Sequence, residues 1–311
     1  MSATPFDYNG DGFSDVFWFN TNTSQNLIWN MVNNQFNSQQ VVAGNPVPDA
    51  AVSISGDFNG NGTTDVFQWH FNGQTNNLLF SNDQVATTVP LPTTLPATGW
   101  RPEISGDFNG DGRSDILWHN FTTNANVVWF FNSNGQFSSQ TVLPSSTTDW
   151  APLASGDFNG NGTDDILWHD LVTNANEIWT MSGGQFVSQT TLPSTGGGGG
   201  WTFAGVGDFN ADGTDDILWH NFNTSDNVAW QINNSQFVQQ ATLPDTAGTW
   251  ALPRVGNFDS DPTSEIFWHN ETASGGTVVW NLSNLNFVNQ VTGPNATFLP
   301  WLDLHQAGFQ V

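Results

Sequence analysis

The sequence contains no cysteine and no lysine, and only three of its 311 residues are arginines. The absence of cysteine excludes disulfides, thiolate metal sites and cysteine nucleophiles, and it leaves the redox compartment open. Against this small positive charge stand 28 acidic residues, so the formal net charge is -25. Such a surface repels nucleic acid and anionic membranes, and we expect neither to be a partner.

Long apolar runs are also missing. No stretch approaches the roughly 18 apolar residues that a membrane helix needs, and the first five residues lack the basic and apolar regions of an export signal. These absences predict that the protein does not insert into a membrane. The sequence is instead rich in aromatic residues, with 16 Trp and 25 Phe, which is ample for a packed core.

The aromatic residues belong to a repeat. Six copies of one pattern begin near residues 7, 57, 107, 157, 208 and 257. The third copy reads WRPEISGDF, NGDGRSD, ILWHN, VVWFF and QFSSQTVLP, with Asn, Gly, Ser, Thr and Pro between the apolar runs. Short runs rich in β-branched and aromatic residues, separated by turn residues, predict about four strands in each copy. No helical period of useful length is present.

Repeats of four strands predict the blades of a β-propeller. The sequence therefore predicts an all-β fold: a single six-bladed domain over residues 1–311. The first copy lacks the strand that begins with Trp, whereas the last is followed by a surplus one, residues 301–309. We expect this C-terminal strand to complete the first blade and close the ring, so that no propagating sheet edge remains. All Trp residues fall into three columns of the repeat, and the second column is expected in the core: Trp18, Trp69, Trp118, Trp168, Trp219 and Trp268.

Each copy carries the loop D-x-N-x-[DN]-G-x-x-D, or a close variant. Side-chain oxygens at positions 1, 3, 5 and 9 can surround a hard cation, and Ca²⁺ accepts six to eight oxygens in flexible geometry. The candidate ligands, loop by loop, are Asp7, Asn9, Asp11, Asp15; Asp57, Asn59, Asn61, Asp65; Asp107, Asn109, Asp111, Asp115; Asp157, Asn159, Asn161, Asp165; Asp208, Asn210, Asp212, Asp216; and Asn257, Asp259, Asp261, Glu265. A simple polar turn is the alternative for any one loop, but recurrence of four oxygen residues at fixed offsets favours calcium.

The six loops differ in charge. The first, third and fifth contain three carboxylates, whereas the second and fourth have Asn at position 5, which predicts weaker sites. The sixth loop has Pro262 where the others have glycine, and proline cannot adopt a positive φ. The sequence therefore predicts five calcium sites and leaves the sixth open.

The element GDFNGDG-x-x-D before an apolar strand resembles the FG-GAP or VCBS repeat of integrin α-subunit propellers and secreted bacterial proteins. The resemblance implies that calcium loops join the first two strands of each blade and stabilise the ring. The Trp-rich array is most similar to the Psathyrella-type and Photorhabdus-type propeller lectins, whose sugar sites lie between blades. Those lectins usually have seven blades.

A candidate binding face lies opposite the loops, because strand direction alternates within a blade. We expect four residue types to meet there: the first-column Trp, the His and Asn or Asp that end the second strand, and the third-column Trp. The candidate carbohydrate-binding residues are Trp100, His119, Asn120, Trp129; Trp150, His169, Asp170, Trp179; Trp201, His220, Asn221, Trp230; and Trp250, His269, Asn270, Trp280. Aromatic platforms beside hydrogen-bonding groups suit neutral sugars, although the same residues also suit packing between blades.

These patterns predict a calcium-stabilised, multivalent lectin that binds glycans or glycoconjugates. The alternative is a non-catalytic propeller for protein binding or adhesion. The acidic and basic residues outside the loops are scattered and predict no catalytic residues. Since sites with two or three carboxylates fill best where calcium is near millimolar, we also expect an extracellular location.

Overall fold

In the described residues the apolar runs form strands and the Asn- and Gly-rich segments between them form turns. The computed structural model describes residues 4–20, 26–42, 50–70, 76–79, 86–89, 99–195, 199–246, 250, 253–270, 275–295 and 301–302. Runs such as Ile116, Leu117 and Trp118 are buried on both faces of the sheet, which explains why they are apolar without alternation. No helix in the described residues is long and apolar enough to cross a membrane.

The strands follow one another in repeat order. The first repeat supplies β1 (Val16–Asn20), β2 (Asn26–Val32) and β3 (Gln35–Val42). The second supplies β4 (Ala50–Gly56), β5 (Asp65–His70), β6 (Asn76–Leu79) and β7 (Ala86–Val89), and the third β8 (Trp100–Gly106), β9 (Asp115–Asn120), β10 (Asn126–Phe131) and β11 (Phe137–Leu143). The fourth supplies β12 (Trp150–Gly156), β13 (Asp165–Asp170), β14 (Asn176–Ser182) and β15 (Gln185–Leu192), and the fifth β16 (Trp201–Gly207), β17 (Asp216–Asn221), β18 (Asn227–Asn233) and β19 (Gln236–Leu243). The sixth supplies β20 (Arg254–Gly256), β21 (Glu265–His269), β22 (Thr277–Ser283) and β23 (Asn286–Thr292), and β24 (Trp301–Leu302) follows.

Consecutive strands pair antiparallel, which confirms the prediction of four-stranded propeller blades. We call the sheets β4–β7, β8–β11, β12–β15, β16–β19 and β20–β23 the repeat-2 to repeat-6 blades. Their first strands are the inner ones, since β8 packs beside β4 and β12, and β16 beside β12 and β20. The fourth strand of each blade therefore forms the outer edge.

The predicted number of blades is corrected by the structure. The sequence predicts six blades, the first completed by the C-terminal strand, but in the described residues only five sheets are blades of four consecutive strands. The first repeat forms a composite sheet of order β24-β1-β2-β3, in which the C-terminal strand β24 pairs with β1 and is two residues long. Its pairing with β1 consists of Phe19 opposite Leu302 and Asn20 opposite Trp301. The remainder of the predicted closing strand, residues 303–309, lies outside the described residues.

The ring is held together at its acidic loops by backbone hydrogen bonds. The N–H group of the residue at position 8 of each loop donates to the carbonyl at position 1 of the preceding loop, at 2.6–3.0 Å. In the last of these bonds Ser14 of the first loop donates to Asn257 of the sixth, at 2.6 Å. The composite sheet therefore joins the repeat-6 blade in the same way as the blades join one another.

The core lies between neighbouring sheets. Between the repeat-3 and repeat-4 blades, Leu117 and Val128 of one blade pack against Ile166 and Trp168 of the other. The second Trp column is buried in these interfaces, as the sequence predicts. At roughly 25 cal/mol per Å² of apolar surface, burial of these indole rings is a main source of the ring's stability.

Candidate functional site

The aspartate at position 1 organises each of the first five acidic loops. In the third loop Oδ1 of Asp107 accepts the N–H groups of Gly110 at 2.7 Å and Asp111 at 3.0 Å, and Oδ2 accepts that of Gly112 at 2.8 Å. Both glycines have a positive φ, +77° and +81°, which allows the chain to coil around the carboxylate. The loop motif therefore defines a compact coil with its acidic groups on one side.

The acidic residue at position 9 is anchored beneath the loop. In the first loop Oδ2 of Asp15 accepts the N–H group of Tyr8 at 3.0 Å and Oδ1 accepts that of Met31 at 2.9 Å. This side chain is buried in every loop. Burial raises its pKa, to about 7 for Asp15, about 9 for Asp115 and about 8 for Glu265. A bound cation would favour the ionised form of these carboxyl groups.

The sixth loop, whose metal site the sequence leaves open, brings its acidic groups closest together. Ligand oxygens of Asp259, Asp261 and Glu265 lie within 4.8 Å of one another, and in the described part of the chain this is the only such group of three acidic or histidine side chains. Oε2 of Glu265 accepts the N–H group of Phe258 at 2.7 Å, whereas Oε1 is buried without a hydrogen-bond partner. These oxygens fit a hard divalent cation despite Pro262.

The third loop differs because it contains Arg113 at position 7. Its Nη2 atom donates to Oδ2 of Asp111, and its Nε atom donates to the carbonyl of Phe131 at 3.0 Å. In the fourth loop Thr163 occupies this position and donates to the equivalent carbonyl, that of Met181, at 2.9 Å. The guanidinium therefore partly neutralises a loop that the carboxylate count places among the strongest.

The third-column Trp residues do not reach the predicted binding face. Trp129 is 1% exposed and lies opposite Ile116, at the loop end of β9, because β10 begins three residues earlier, at Asn126. The equivalent residues are also buried: Trp179, Trp230 and Trp280. In the structure these rings belong to the core, and their role in carbohydrate binding stays a prediction.

Histidines at the end of the second strand each begin a chain of hydrogen bonds that fixes the ring. Nδ1 of His119 lies 2.7 Å from Oδ1 of Asn126, whose Nδ2 donates to the carbonyl of Pro144 at 2.8 Å. A carbonyl can only accept, so the amide orientation requires that the histidine donates from Nδ1. The same chain of hydrogen bonds links His169, Asn176 and Pro193, and also His220, Asn227 and Pro244. Burial lowers the pKa of His119 and His220, which favours neutral rings.

The Asn or Asp that ends the second strand caps a turn. Oδ1 of Asn120 accepts the N–H groups of Thr122 at 2.9 Å and Thr123 at 3.0 Å. Asp170 and Asn221 cap the equivalent turns in the repeat-4 and repeat-5 blades. Asn270 pairs with Trp250 in an isolated antiparallel bridge. These side chains therefore shape the loop beside the predicted face.

The first-column residues Trp100, Trp150, Trp201 and Trp250 are half-buried. Trp100 packs against the cluster between the repeat-2 and repeat-3 blades, whereas the ring of His119 lies 5.7 Å from Trp168 in the next blade. The Trp and His of one repeat thus face different clefts. His269 likewise faces the neighbouring sheet: its ring lies 5.0 Å from Trp18 of the composite sheet.

Exposed apolar side chains follow the second strand, at positions that are not among the candidate residues predicted from the sequence. Phe121 is 45% exposed, Leu171 50% and Phe222 51%. The Phe121 ring lies 4.5 Å from His119, and the Phe222 ring 4.8 Å from His220. An apolar residue at a constant position in an otherwise polar turn was the signal available in the sequence.

Neighbouring repeats combine these groups in the clefts. Trp150 packs against the cluster between the repeat-3 and repeat-4 blades, the cleft that His119 and Phe121 also face. Trp201 and Trp250 pack in the next two clefts. We call these three interblade sites the aromatic grooves, and by position in the repeat they pair Phe121 with Trp150, Leu171 with Trp201, and Phe222 with Trp250.

Comparison with solved structures supports the propeller fold. The chain is similar to an Agrocybe aegerita lectin described as recognising non-reducing terminal N-acetylglucosamine, with a TM-score of 0.62, 16% identity and coverage of 96% of this chain and 85% of that one. It is also similar to the Photorhabdus luminescens Tc holotoxin pore, with a TM-score of 0.59, 15% identity and coverage of 94% and 14%. A nidogen/laminin complex matches with a TM-score of 0.55, 13% identity and coverage of 89% and 92%.

Comparison of the sequence with known families and proteins gives a narrower result. No curated protein matches the chain. The family model described as FG-GAP-like repeat matches residues 7–68 and 107–168, which include the first four acidic loops. Residues 7–68 and 107–168 therefore match FG-GAP-like repeats, and the chain folds as a β-propeller.

Proposed function

We propose that this protein is a multivalent carbohydrate-binding propeller whose aromatic grooves bind glycans and whose acidic loops hold calcium. The observation that carries the proposal is the recurrence of one arrangement in three consecutive clefts. In each cleft an exposed Phe or Leu lies two residues after a His whose ring faces the next blade, and a half-buried Trp of that next blade packs in the same cleft. Repetition on a rigid ring favours avid binding to repetitive ligands.

The grooves have the chemistry that a sugar requires. The CH face of a pyranose packs on an aromatic or aliphatic surface, while its hydroxyl groups need nearby donors and acceptors. Beside Phe121 the turn exposes the polar residues Thr122 and Thr123, and beside Phe222 it exposes Asn223 and Thr224. These groups carry no formal charge, which favours neutral sugars.

Calcium would act as a structural ion. The three converging carboxyl groups of the sixth loop and the unpartnered Oε1 of Glu265 support a divalent cation there. In the other loops the buried carboxyl group at position 9 would gain a counter-ion. The ion would cross-link a loop that is already bonded to its neighbours in the ring, and an extracellular location would keep weak sites filled.

The similarity to the Agrocybe lectin covers most of both chains and favours carbohydrate as the ligand class. A second candidate is protein binding, which the similarity to the nidogen/laminin complex favours. The exposed apolar residues of the grooves would also suit a protein surface.

A glycan array in the presence of millimolar calcium tests the proposal. We expect binding to a family of neutral glycans, and N-acetylglucosamine is the first soluble competitor to try. The double variant Phe121→Ser/Phe222→Ser should bind about tenfold more weakly, which corresponds to about 1.4 kcal/mol.

The matched control is Val142→Ser/Val238→Ser, which removes two exposed valines from the outer strands β11 and β19. Glycan binding should be unchanged in this variant. If the wild-type protein binds no glycan but binds extracellular-matrix proteins, and this binding is lost in the groove variant, the protein-binding alternative is correct.

A further inference from the structure

A pocket on the acidic-loop side of the ring lies apart from the aromatic grooves. It has a volume of about 520 Å³ and opens between the repeat-3 and repeat-4 blades. Its lining includes Arg113, Asp111, Phe130, Asn132, Ser138 and Ser139, and Gly183 of the next blade completes it. The volume is within the range typical of small-molecule sites, roughly 300–1,000 Å³.

The repeat is altered at three positions around the pocket. Phe130 follows the third-column Trp, where the next repeats have Thr180, Gln231 and Asn281. In two other clefts this position makes a polar bond to the neighbouring turn: Thr180 Oγ1 lies 3.1 Å from Ser235 Oγ, and Asn34 Nδ2 donates to Asn281 Oδ1 at 2.9 Å.

In the cleft between the repeat-3 and repeat-4 blades, Gly184 occupies the turn position that Ser235 and Asn34 hold in the other two clefts. Its φ is +76°, and a Cβ atom there would lie 2.5 Å from Cζ of Phe130. The Phe130 ring therefore occupies the space that a side chain fills in the other two clefts. Arg113 is the third change, since the second, fourth, fifth and sixth loops have Thr at that position. Three neighbouring positions that all differ from the equivalent positions of other repeats are typical of a specialised site.

We propose that this pocket binds a single neutral saccharide unit, an inference that rests on the proposed carbohydrate-binding function but uses a different site. The half-buried Phe130 ring offers a surface for the CH face of a pyranose. The hydroxyl groups of Ser138 and Ser139 are exposed beside it. Arg113 and Asp111 form an ion pair, so their charges offset each other in the lining, which favours a polar, uncharged ligand.

Saturation-transfer NMR tests the pocket in a background that lacks the aromatic grooves, the triple variant Phe121→Ser/Leu171→Ser/Phe222→Ser. The probes are the methyl glycosides of glucose, galactose, mannose and N-acetylglucosamine, with methyl glucuronide as the charged comparison. We expect at least one neutral glycoside to receive saturation in this background, and to lose it when Phe130→Thr or Arg113→Thr is added. Both substitutions introduce the residue of another repeat, and thermal melting verifies that the variants fold.

The control is Thr180→Ala, the equivalent position in the repeat-4 blade, which should leave the signal unchanged. Loss of all saturation in the groove-deficient background, with binding by the wild-type protein, would overturn the pocket and support the grooves. A signal that persists in the Phe130→Thr and Arg113→Thr variants would also overturn it. If the wild-type protein binds no glycoside at all, the proposed function fails together with the pocket.

Discussion

Arg254 connects the repeat-6 blade to the composite sheet. Its guanidinium carbon lies 4.6 Å from the ring centroid of Trp18, and Nη2 donates to the carbonyl of Phe17 at 3.5 Å. Because this cation is buried against aromatic rings, Arg254→Ala removes packing together with a cation–π contact. We expect a loss of about 2–3 kcal/mol in the free energy of unfolding, measured by urea denaturation.

Arg101→Ala is the matched control for this prediction. Arg101 also lies over an aromatic ring, with its guanidinium carbon 5.5 Å from the centroid of Phe121, but its side chain is exposed. We expect a change of at most about 0.5 kcal/mol. Equal losses in the two variants would show that burial at the junction is not important.

Two neighbouring loops each place a carboxyl group where the other loops have Ser or Thr. Oδ2 of Asp164 accepts the N–H group of Asp107 at 2.8 Å, and Oδ2 of Asp215 accepts that of Asp157 at 2.8 Å. Burial raises the pKa of Asp164 to about 6 and that of Asp215 to about 7, and each carboxylate repels the other. At the equivalent position, the hydroxyl group of Ser14 accepts an N–H group at the same distance.

We therefore expect Asp164→Ser/Asp215→Ser to raise the free energy of unfolding by about 1 kcal/mol at pH 8, because the acceptor is kept and the repulsion is removed. The measurement is chemical denaturation at pH 5 and pH 8. The gain should be smaller at pH 5, where both carboxyl groups are largely protonated. A destabilised double variant at pH 8 would contradict this explanation.

At the scale of the elements, the acidic loops predict opposite responses to pH with and without calcium. Burial raises the pKa of the position-9 groups, to about 7 for Asp15 and Asp165, about 8 for Asp216 and Glu265, and about 9 for Asp115. A raised folded-state pKa contributes stability that is complete below the unfolded-state value and is lost as pH rises through the folded-state value. Without divalent cations, the melting temperature should therefore fall between about pH 6 and pH 9.

Millimolar calcium should abolish this decline, because the ion stabilises the ionised carboxylates and binds only the folded protein. Melting curves recorded with chelator and with calcium across that pH range provide the measurement. Glu265→Gln should lose part of the calcium-dependent increase in melting temperature. Identical curves with and without calcium would show that the loops are polar turns only.

The sequence predicts that a strand exists more readily than it predicts where along that strand each residue lies. The sequence predicted the strand around Trp129 but placed Trp129 near its start, beside the binding face. The structure begins this strand at Asn126, so the ring lies at the opposite end and in the core. Strand alternation shows which face a residue occupies but not how far along the strand it lies, which depends on the pairing register.

At the scale of the whole molecule, the composite sheet is the distinctive feature. Residues Trp301 and Leu302 cover one edge of β1. Deletion of residues 301–311 should expose the backbone groups of that edge, lower the melting temperature and favour self-association. Deletion of residues 303–311 keeps β24 and is the matched control, for which we expect a smaller effect. Light scattering and thermal melting of both truncations provide the measurement, and equal behaviour would contradict a role for β24.

The sequence by itself determined the local features of this protein: the repeat, the short strands, the coiled acidic loops and the buried second Trp column. These follow from spacing, turn residues and β-propensity, which act over a few residues. Only the tertiary structure decided that five sheets in the described residues are blades of four consecutive strands, that the Trp and His of one repeat face different clefts, and that the carboxyl groups of the sixth loop converge. These features depend on contacts between neighbouring sheets, which spacing along a single chain does not specify.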